Sequence, residues 1–256
     1  IAQYRYDRNP SDLIFRRRSL VNFAIDENDV YMTTQLRGAN TEFKPFNQGS
    51  NGAGNSGGKG NPLNPNGEKT SYFWETVLQR DNWLRLLGSY IHIYYPVDEA
   101  TGKKSKEGIT VFPRFHQWHA VETLIKATKE EGFGVNRLAQ HSAGSGKSNT
   151  ISWLAHRLSV LHTPSEKNSD SIWEKEIKTN TPIYDKVIIV TNRRNLDIQL
   201  RDTVKSFEQK EGTIIQVRED EGSKNKQLSD ALSSSACRII TTTVQTFPFV
   251  VKEALN

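Results

Sequence analysis

The chain has 256 residues, of which 34 are lysine or arginine and 29 are aspartate or glutamate, giving a formal net charge of +5. This excess of positive charge is compatible with nucleic-acid binding but does not require it. Cys237 is the single cysteine, which excludes an internal disulfide, and no apolar run is long enough to cross a membrane. We therefore expect a cytoplasmic protein of one large or two small domains with no membrane partner. Because the chain opens at Ile1 and contains one methionine, Met32, we also expect an internal piece of a longer protein.

Residues 20–36 predict a β-hairpin. Two apolar, β-branched or aromatic stretches flank the polar turn 26–29. Asp26, Glu27 and Asp29 form an acidic cluster there, but a turn is where such residues are common for conformational reasons. We interpret them as solvated turn residues rather than metal ligands.

Residues 48–110 predict a loop, a helix and a junction. Residues 48–67 are dominated by Gly, Asn, Ser and Pro, so we expect a mobile loop or linker. Thr70 is a candidate cap for a helix over residues 71–93, which has regularly spaced apolar side chains. The charged, polar segment 97–110 is consistent with a domain junction.

From residue 111 the pattern becomes an alternation of helices and strands, which indicates an α/β domain around a mainly parallel sheet. Helices are expected over residues 117–128, 149–158 and 195–207, and strands over residues 135–139, 186–191, 212–217 and 238–243.

Residues 140–148, Gln-His-Ser-Ala-Gly-Ser-Gly-Lys-Ser, read as a phosphate-binding loop between a strand and a helix. Glycines allow successive backbone N–H groups to turn toward phosphates, a lysine reaches the β- and γ-phosphates, and a hydroxyl binds Mg²⁺. His141 stands where the full motif has glycine, so a simple Gly/Ser turn is the alternative. The predicted ligands are ATP and Mg²⁺, bound by Gly144, Ser145, Gly146, Lys147 and Ser148, with Ser148 on the metal.

Gln117 is a candidate for reading the base of the nucleotide. Its amide carries both a donor and an acceptor, which matches the edge of adenine, and aromatic residues precede it. The alternative is a polar helix start with ordinary aromatic packing.

Polar side chains follow two of the predicted strands. Thr191 ends the strand predicted over residues 186–191, and Arg193 and Arg194 follow it. Thr243 ends the strand predicted over residues 238–243, and Gln245 follows it. Hydroxyls and guanidinium groups are suited to a phosphodiester backbone, so we predict contacts with DNA there. A solvated helix start and ordinary strand-forming threonines are the alternatives.

These segments together resemble motifs Q, I, Ia and Ib of helicase superfamily two. A more specific resemblance, running along nearly the whole chain, is to the R (restriction and motor) subunit of type I restriction endonucleases. It rests on residues 32–36, 43–49, 72–77, 112–118, 140–148, 153–158 and 238–249.

The resemblance implies an ATP-dependent translocase on double-stranded DNA joined to a restriction endonuclease. Residues 1–95 would be the end of a restriction-endonuclease-like nuclease domain, and residues 96–256 the first part of a RecA-like lobe. The partners implied are double-stranded DNA and the modification (methyltransferase) and specificity subunits of the restriction complex.

Carried over by position, Gln117 resembles the adenine-reading glutamine, Lys147 the phosphate-binding lysine and Ser148 the Mg²⁺ ligand. Thr191, Arg193 and Thr243 resemble the residues with which such motors contact the DNA backbone. The sequence departs from the family at Asn192, where aspartate is usual, and at Thr246, where lysine is frequent.

No D-E-x-H string and no nuclease carboxylate set occur in the chain, so we assign no catalytic residue and expect the 256 residues alone to neither hydrolyse ATP nor cleave DNA. Two other functions remain open from the sequence. One is a P-loop kinase or phosphotransferase, and the other is a non-catalytic DNA-binding module.

Overall fold

The computed structural model describes residues 1–96, 101, 103–163, 180–192, 200, 203–207, 212–217 and 223–246. The chain divides into two compact units, Ile1–Ala120 and Val121–Asn256. The domain boundary predicted at residues 95 and 96 falls inside the first unit, and the assignment of a nuclease and a motor to the two parts remains a prediction.

The first unit contains the predicted hairpin. Strand β1 (Asn22–Ile25) pairs antiparallel with β2 (Val30–Thr33), and Ile25 lies opposite Val30. The short strand β3 (Lys44–Pro45) pairs with the other edge of β2. In the turn, the Asp26 carboxylate accepts hydrogen bonds from the N–H groups of the second and third residues after it, which lowers the pKa of Asp26. These acidic residues are therefore turn residues, as predicted.

The helix predicted over residues 71–93 is wrong as a single element. The segment forms a π-helical turn, a helix and a strand, and that strand pairs antiparallel with a later one. The elements are the π-turn Phe73–Val77, helix α1 (Arg80–Ser89), strand β4 (His92–Tyr94) and its partner β5 (Ile109–Val111).

The break lies at Gln79, whose backbone is extended with ψ of 138°. Side-chain amides bond the carbonyls near the break: Gln79 Nε2 donates to Trp74 O at 3.0 Å and Asn82 Nδ2 donates to Thr76 O at 2.8 Å. Apolar spacing did not reveal the break because both halves keep a helical pattern.

The Gly/Asn-rich stretch 48–67 contains no helix or strand, but its ends are tied together. Gly49 N–H donates to Gly60 O at 2.9 Å. The Asn61 side chain accepts from Gln48 N–H at 2.8 Å and donates to Asn28 O at 2.9 Å, which fixes the base of the loop to the hairpin turn. The predicted mobility of this loop stays a prediction.

An aromatic cluster forms the centre of the first unit. Phe46 is fully buried, and its ring centroid lies 5.6 to 6.2 Å from those of Phe23, Phe73, Phe112 and Phe115. Tyr72 donates its hydroxyl to Phe46 O at 2.7 Å, and burial raises the pKa of this phenol.

The second unit contains a parallel three-stranded sheet in the order β6-β8-β7. The strands are β6 (Val187–Thr191), β7 (Ile214–Gln216) and β8 (Ile239–Thr243). All three were predicted, because continuous β-branched runs are typical of strands covered on both faces. The parallel arrangement is also as predicted.

Three α-helices complete the described elements, and residues 203–206 are also helical. Helix α2 (Phe115–Glu131) and helix α3 (Lys147–Ser159) confirm two predictions, while α4 (Lys224–Ser233) was not predicted. The remainder of the helix predicted over 195–207 lies mostly outside the described residues.

The strand predicted over residues 135–139 is wrong, since residues 135–142 form neither helix nor strand. Leu138 is 92% exposed, so it contributes nothing to a sheet. Arg137 instead fixes the segment by donating to Ala127 O at 3.1 Å and to the Glu131 carboxylate at 3.0 Å.

Alternate residues of the sheet pack against helices on opposite faces. On one face of the sheet, Ile189, Ile214 and Ile239 form a cluster with helical residues. These helical residues are Ala155 of α3, Leu200 and Val204. The other face joins Leu228 and Ala231 of α4 to Ile188, Ile215 and Ile240. The second unit is therefore a three-layer α/β/α arrangement, as expected for a parallel sheet.

Candidate functional site

The predicted phosphate loop has the backbone that its glycines suggest. Gly144 has φ of +72°, and Gly146, directly before α3, has φ of +80° and ψ of +37°. Residues with a Cβ rarely adopt this left-handed conformation. No atom lies within 4 Å of where a Cβ on Gly144 would be, so that glycine faces open space.

The loop leads directly into the first turn of α3. Gly146 O accepts hydrogen bonds from the N–H groups of Asn149 and Thr150, at 3.1 and 3.3 Å. Within the described part of the chain, the N–H groups of Lys147 and Ser148 donate to no other residue. Free N–H groups and the positive end of the helix dipole make this end of α3 suitable for an anion.

The Lys147 ammonium is exposed and lies over the loop. It donates to Ser142 O at 2.9 Å and to His141 O at 3.3 Å. These neutral carbonyl partners leave the positive charge uncompensated, so the lysine can exchange them for phosphate oxygens, which bind an ammonium more strongly.

His141 occupies the position where the motif usually has glycine, and it is half-buried. Burial lowers the pKa of His141, and the nearby charge of Lys147 lowers it further. Both effects disfavour the imidazolium, so we infer that His141 is neutral at pH 7.

We expect the pKa of His141, measured by NMR titration, to lie below 6.5 and to rise in Lys147→Ala, because that variant removes one of the two causes. His119 is the matched control, since burial alone lowers its pKa and the variant should leave it unchanged. Because the unfolded chain binds this proton more tightly, protonation of His141 should lower the free energy of unfolding as the pH falls through 6.5. A His141 pKa unaffected by the variant would contradict the assigned electrostatic contact.

The residues at the loop fit Mg²⁺ bound together with phosphate. Ser148 is half-buried at the second position of α3, where its hydroxyl can serve as a single protein ligand. The described residues hold no group of three or more His, Cys, Asp or Glu side chains that could bind a metal ion. Mg²⁺ commonly takes few protein ligands and completes its shell with phosphate and water, so Ser148 suits it. When bound, the ion would neutralise phosphate charge.

The ends of two neighbouring strands bring part of the predicted DNA-contact set together. Thr191 of β6 lies opposite Thr243 of β8, and Val244 N–H donates to Thr191 O at 2.9 Å. Thr191 is half-buried and Gln245 is exposed in the turn that follows β8. The Thr243 hydroxyl, by contrast, is buried and lies 3.1 Å from the hydroxyl of Thr246, so these two threonines stabilise the turn.

Arg193 and Arg194, also predicted to contact DNA, lie outside the described residues. Asn192 is the last described residue of that segment, and it is exposed.

Gln117 lies in the first unit and has a local structural role. It is the third residue of α2, is 4% exposed, and accepts a hydrogen bond from Arg114 N–H at 2.8 Å through Oε1. A glutamine at this position that bonds the backbone N–H preceding the helix is half of a capping box. Its predicted contact with adenine stays a prediction.

A glycine-rich loop whose lysine opens a helix packed on a parallel sheet defines a P-loop nucleotide-binding protein of the α/β class. The chain belongs to the SWI2/SNF2 ATPase family, because the model of that family matches residues 116–255, which are more than half of the chain. It thus has an ATPase domain of the helicase superfamily two type, and the family implies an ATP-dependent, helicase- or translocase-like function. Comparison with curated proteins and with solved structures gave no match. Among the described residues, no helix is both long and apolar enough to span a membrane.

Proposed function

We propose that the chain is part of the R subunit of a type I restriction endonuclease and that its second unit belongs to a motor that moves along double-stranded DNA. The ATPase part of this proposal rests on the match to the SWI2/SNF2 ATPase family. The narrower assignment is supported by the collinear sequence resemblance, which includes residues 32–36, 43–49 and 72–77 ahead of the ATPase region.

In this proposal residues 1–95 are the end of a nuclease domain and residues 96–256 begin the RecA-like lobe. The protein acts in the cytoplasm with the modification (methyltransferase) and specificity subunits. Its substrate is duplex DNA, and ATP with Mg²⁺ drives the movement.

The geometry of the second unit allows a division of labour between its parts. Gly144 and Gly146 shape the loop, Lys147 binds the β- and γ-phosphates, and the free N–H groups at the start of α3 receive further phosphate oxygens. Thr191 and Gln245, at the ends of neighbouring strands, contact the DNA backbone without reading bases. The observation that carries the proposal is that α3, which starts at the phosphate loop, packs on the two strands that end in Thr191 and Thr243.

The test is ATP hydrolysis by the full-length protein assembled with its partner subunits, with and without duplex DNA. We expect duplex DNA to stimulate hydrolysis and Lys147→Ala to reduce the stimulated rate by about tenfold or more, because an ammonium–phosphate contact contributes at least about 1.4 kcal/mol. Lys129→Ala, an exposed lysine on α2, is the control and should leave the rate unchanged.

Two outcomes would overturn the proposal. Turnover that is independent of DNA would favour a P-loop phosphotransferase. Loss of DNA affinity in Lys147→Ala without any change in nucleotide binding would favour a non-catalytic DNA-binding module.

A further inference from the structure

An arginine surface lies on the first unit. It consists of Arg16, Arg17 and Arg18, which form the end of the π-helical turn Ile14–Arg18. All three side chains are exposed. The first 20 residues of the chain contain five arginines and two aspartates, so this segment is strongly positive.

The three guanidinium groups are not used within the fold. In the part of the chain that the structure describes, their side chains form no hydrogen bond and no ion pair. Arg5 provides the contrast, because its guanidinium donates twice to Thr41 O, at 3.1 and 2.9 Å. One arginine of the segment is therefore structural, and three present their full charge to the exterior.

The segment that carries the arginine surface is fixed in place. Phe15, the second residue of the turn, packs edge-on against Tyr4 with ring centroids 6.3 Å apart. The Tyr4 hydroxyl donates to Phe23 O in β1 at 3.2 Å, and its ring also contacts Phe43 at 5.6 Å. These contacts hold the turn against the hairpin sheet, so the arginines extend from an anchored position rather than from a free chain end.

The chemistry of this surface suits a chain of phosphates. Arginine binds phosphate through two parallel N–H···O bonds and stays charged at any physiological pH. Duplex DNA carries one negative charge per about 1.7 Å of its axis, so exposed arginines can bind its phosphates without regard to base sequence. Such contacts position DNA and carry no sequence information.

We propose that Arg16, Arg17 and Arg18 form a DNA-backbone contact of the first unit, separate from the strand-end contacts of the second unit. This inference rests on the proposed function, because it takes duplex DNA as the substrate. It assigns the first unit a part in holding the DNA on which the motor acts.

The test measures the affinity of the full-length protein for a labelled duplex of arbitrary sequence at several salt concentrations, without ATP. Each phosphate contact contributes about 0.9 to the slope of log affinity against log salt concentration. We therefore expect the triple variant R16Q/R17Q/R18Q to bind more weakly and to have a slope shallower by about 2 to 3. The matched control is K103Q/K104Q/K106Q, which removes the same number of exposed charges from the same unit and should change the slope by less than about 1.

A second variant separates charge from folding. R16K/R17K/R18K keeps the three charges, so we expect it to restore the slope, and circular dichroism checks that each variant is folded. The inference is overturned if R16Q/R17Q/R18Q leaves the slope unchanged. It is also overturned if K103Q/K104Q/K106Q changes the slope by the same amount as R16Q/R17Q/R18Q. Loss of partner-subunit binding with an unchanged slope also overturns it and would identify an acidic protein surface as the ligand.

Failure of the inference can be told apart from failure of the proposed function. If duplex DNA stimulates wild-type ATP hydrolysis but the slope does not respond to the arginines, the inference alone is wrong. If the wild-type protein neither binds duplex DNA nor responds to it, both are wrong.

Discussion

Replacing Trp153 by alanine is expected to lower the free energy of unfolding of the second unit by about 3 to 5 kcal/mol. Trp153 is fully buried in α3, and its ring meets that of Phe207 edge-on with centroids 5.7 Å apart. Truncation removes the apolar contacts of the largest side chain and leaves a cavity between α3 and the helical residues around Val204. Urea unfolding followed by far-ultraviolet circular dichroism measures the change, and it does not depend on the tryptophan that has been removed.

Trp74→Ala is the control for this experiment, because Trp74 is 45% exposed and loses much less buried surface. A loss of less than about 1 kcal/mol in Trp153→Ala, or equal losses in the two variants, would show that α3 is not packed as described.

In the first unit, Phe46→Ala is expected to cost about 3 to 5 kcal/mol. Phe46 is fully buried, and four other phenylalanine rings surround it, so no single neighbour can move to fill the space. Its carbonyl also accepts the Tyr72 hydroxyl, a bond that loses its geometry if the backbone relaxes. The same unfolding measurement applies, and hydrogen exchange at the amides of β1 and β2 should accelerate.

Tyr6→Ala gives the matched comparison within the same unit. Tyr6 is 72% exposed, so its removal should change stability by less than about 0.5 kcal/mol. If Phe46→Ala were as mild as Tyr6→Ala, the aromatic cluster would not be the core of the first unit.

The elements that could be predicted from the sequence are those with a single dominant pattern. Continuous β-branched runs predicted β6, β7 and β8, and the alternation with helices predicted the parallel sheet. The apolar, β-branched or aromatic stretches on either side of the polar turn 26–29 predicted the first hairpin. In each case the local pattern and the tertiary contacts favour the same structure, which is why local reasoning was enough.

Other features depend on contacts that spacing cannot reveal. Val135 and Leu138 suggested a strand, but Arg137 fixes that segment through bonds to α2 instead. Gly144 and Gly146 are left-handed, which agrees with the use of glycine in a phosphate-binding loop. The capping bond of Gln117 to Arg114 was missed, although a glutamine three residues after a helix start is a recognisable signal for it.

The buried side of α3 was also predicted only in part. The apolar residues that recur at helical spacing in this segment are Ile151, Leu154, Ala155 and Leu158, which would predict a buried side through them, but Ile151 is 38% exposed. The buried residues of the helix are Thr150, Ser152, Trp153, Ala155 and Ser159. Apolar spacing does not identify small polar side chains such as Thr150, Ser152 and Ser159, which are buried here.

The side of α3 that carries these small residues connects the phosphate loop to the sheet. The helix has 13 residues, so it is about 20 Å long, and it starts at Lys147. Ser152, Ala155 and Ser159 follow one another along the same side, and Ala155 packs on the strands that lead to Thr191 and Thr243. Such short side chains have few alternative rotamers with which to absorb a displacement, and close-packed interiors transmit strain. We therefore expect a displacement of the phosphate-loop end of α3 to move the strands that end in Thr191 and Thr243.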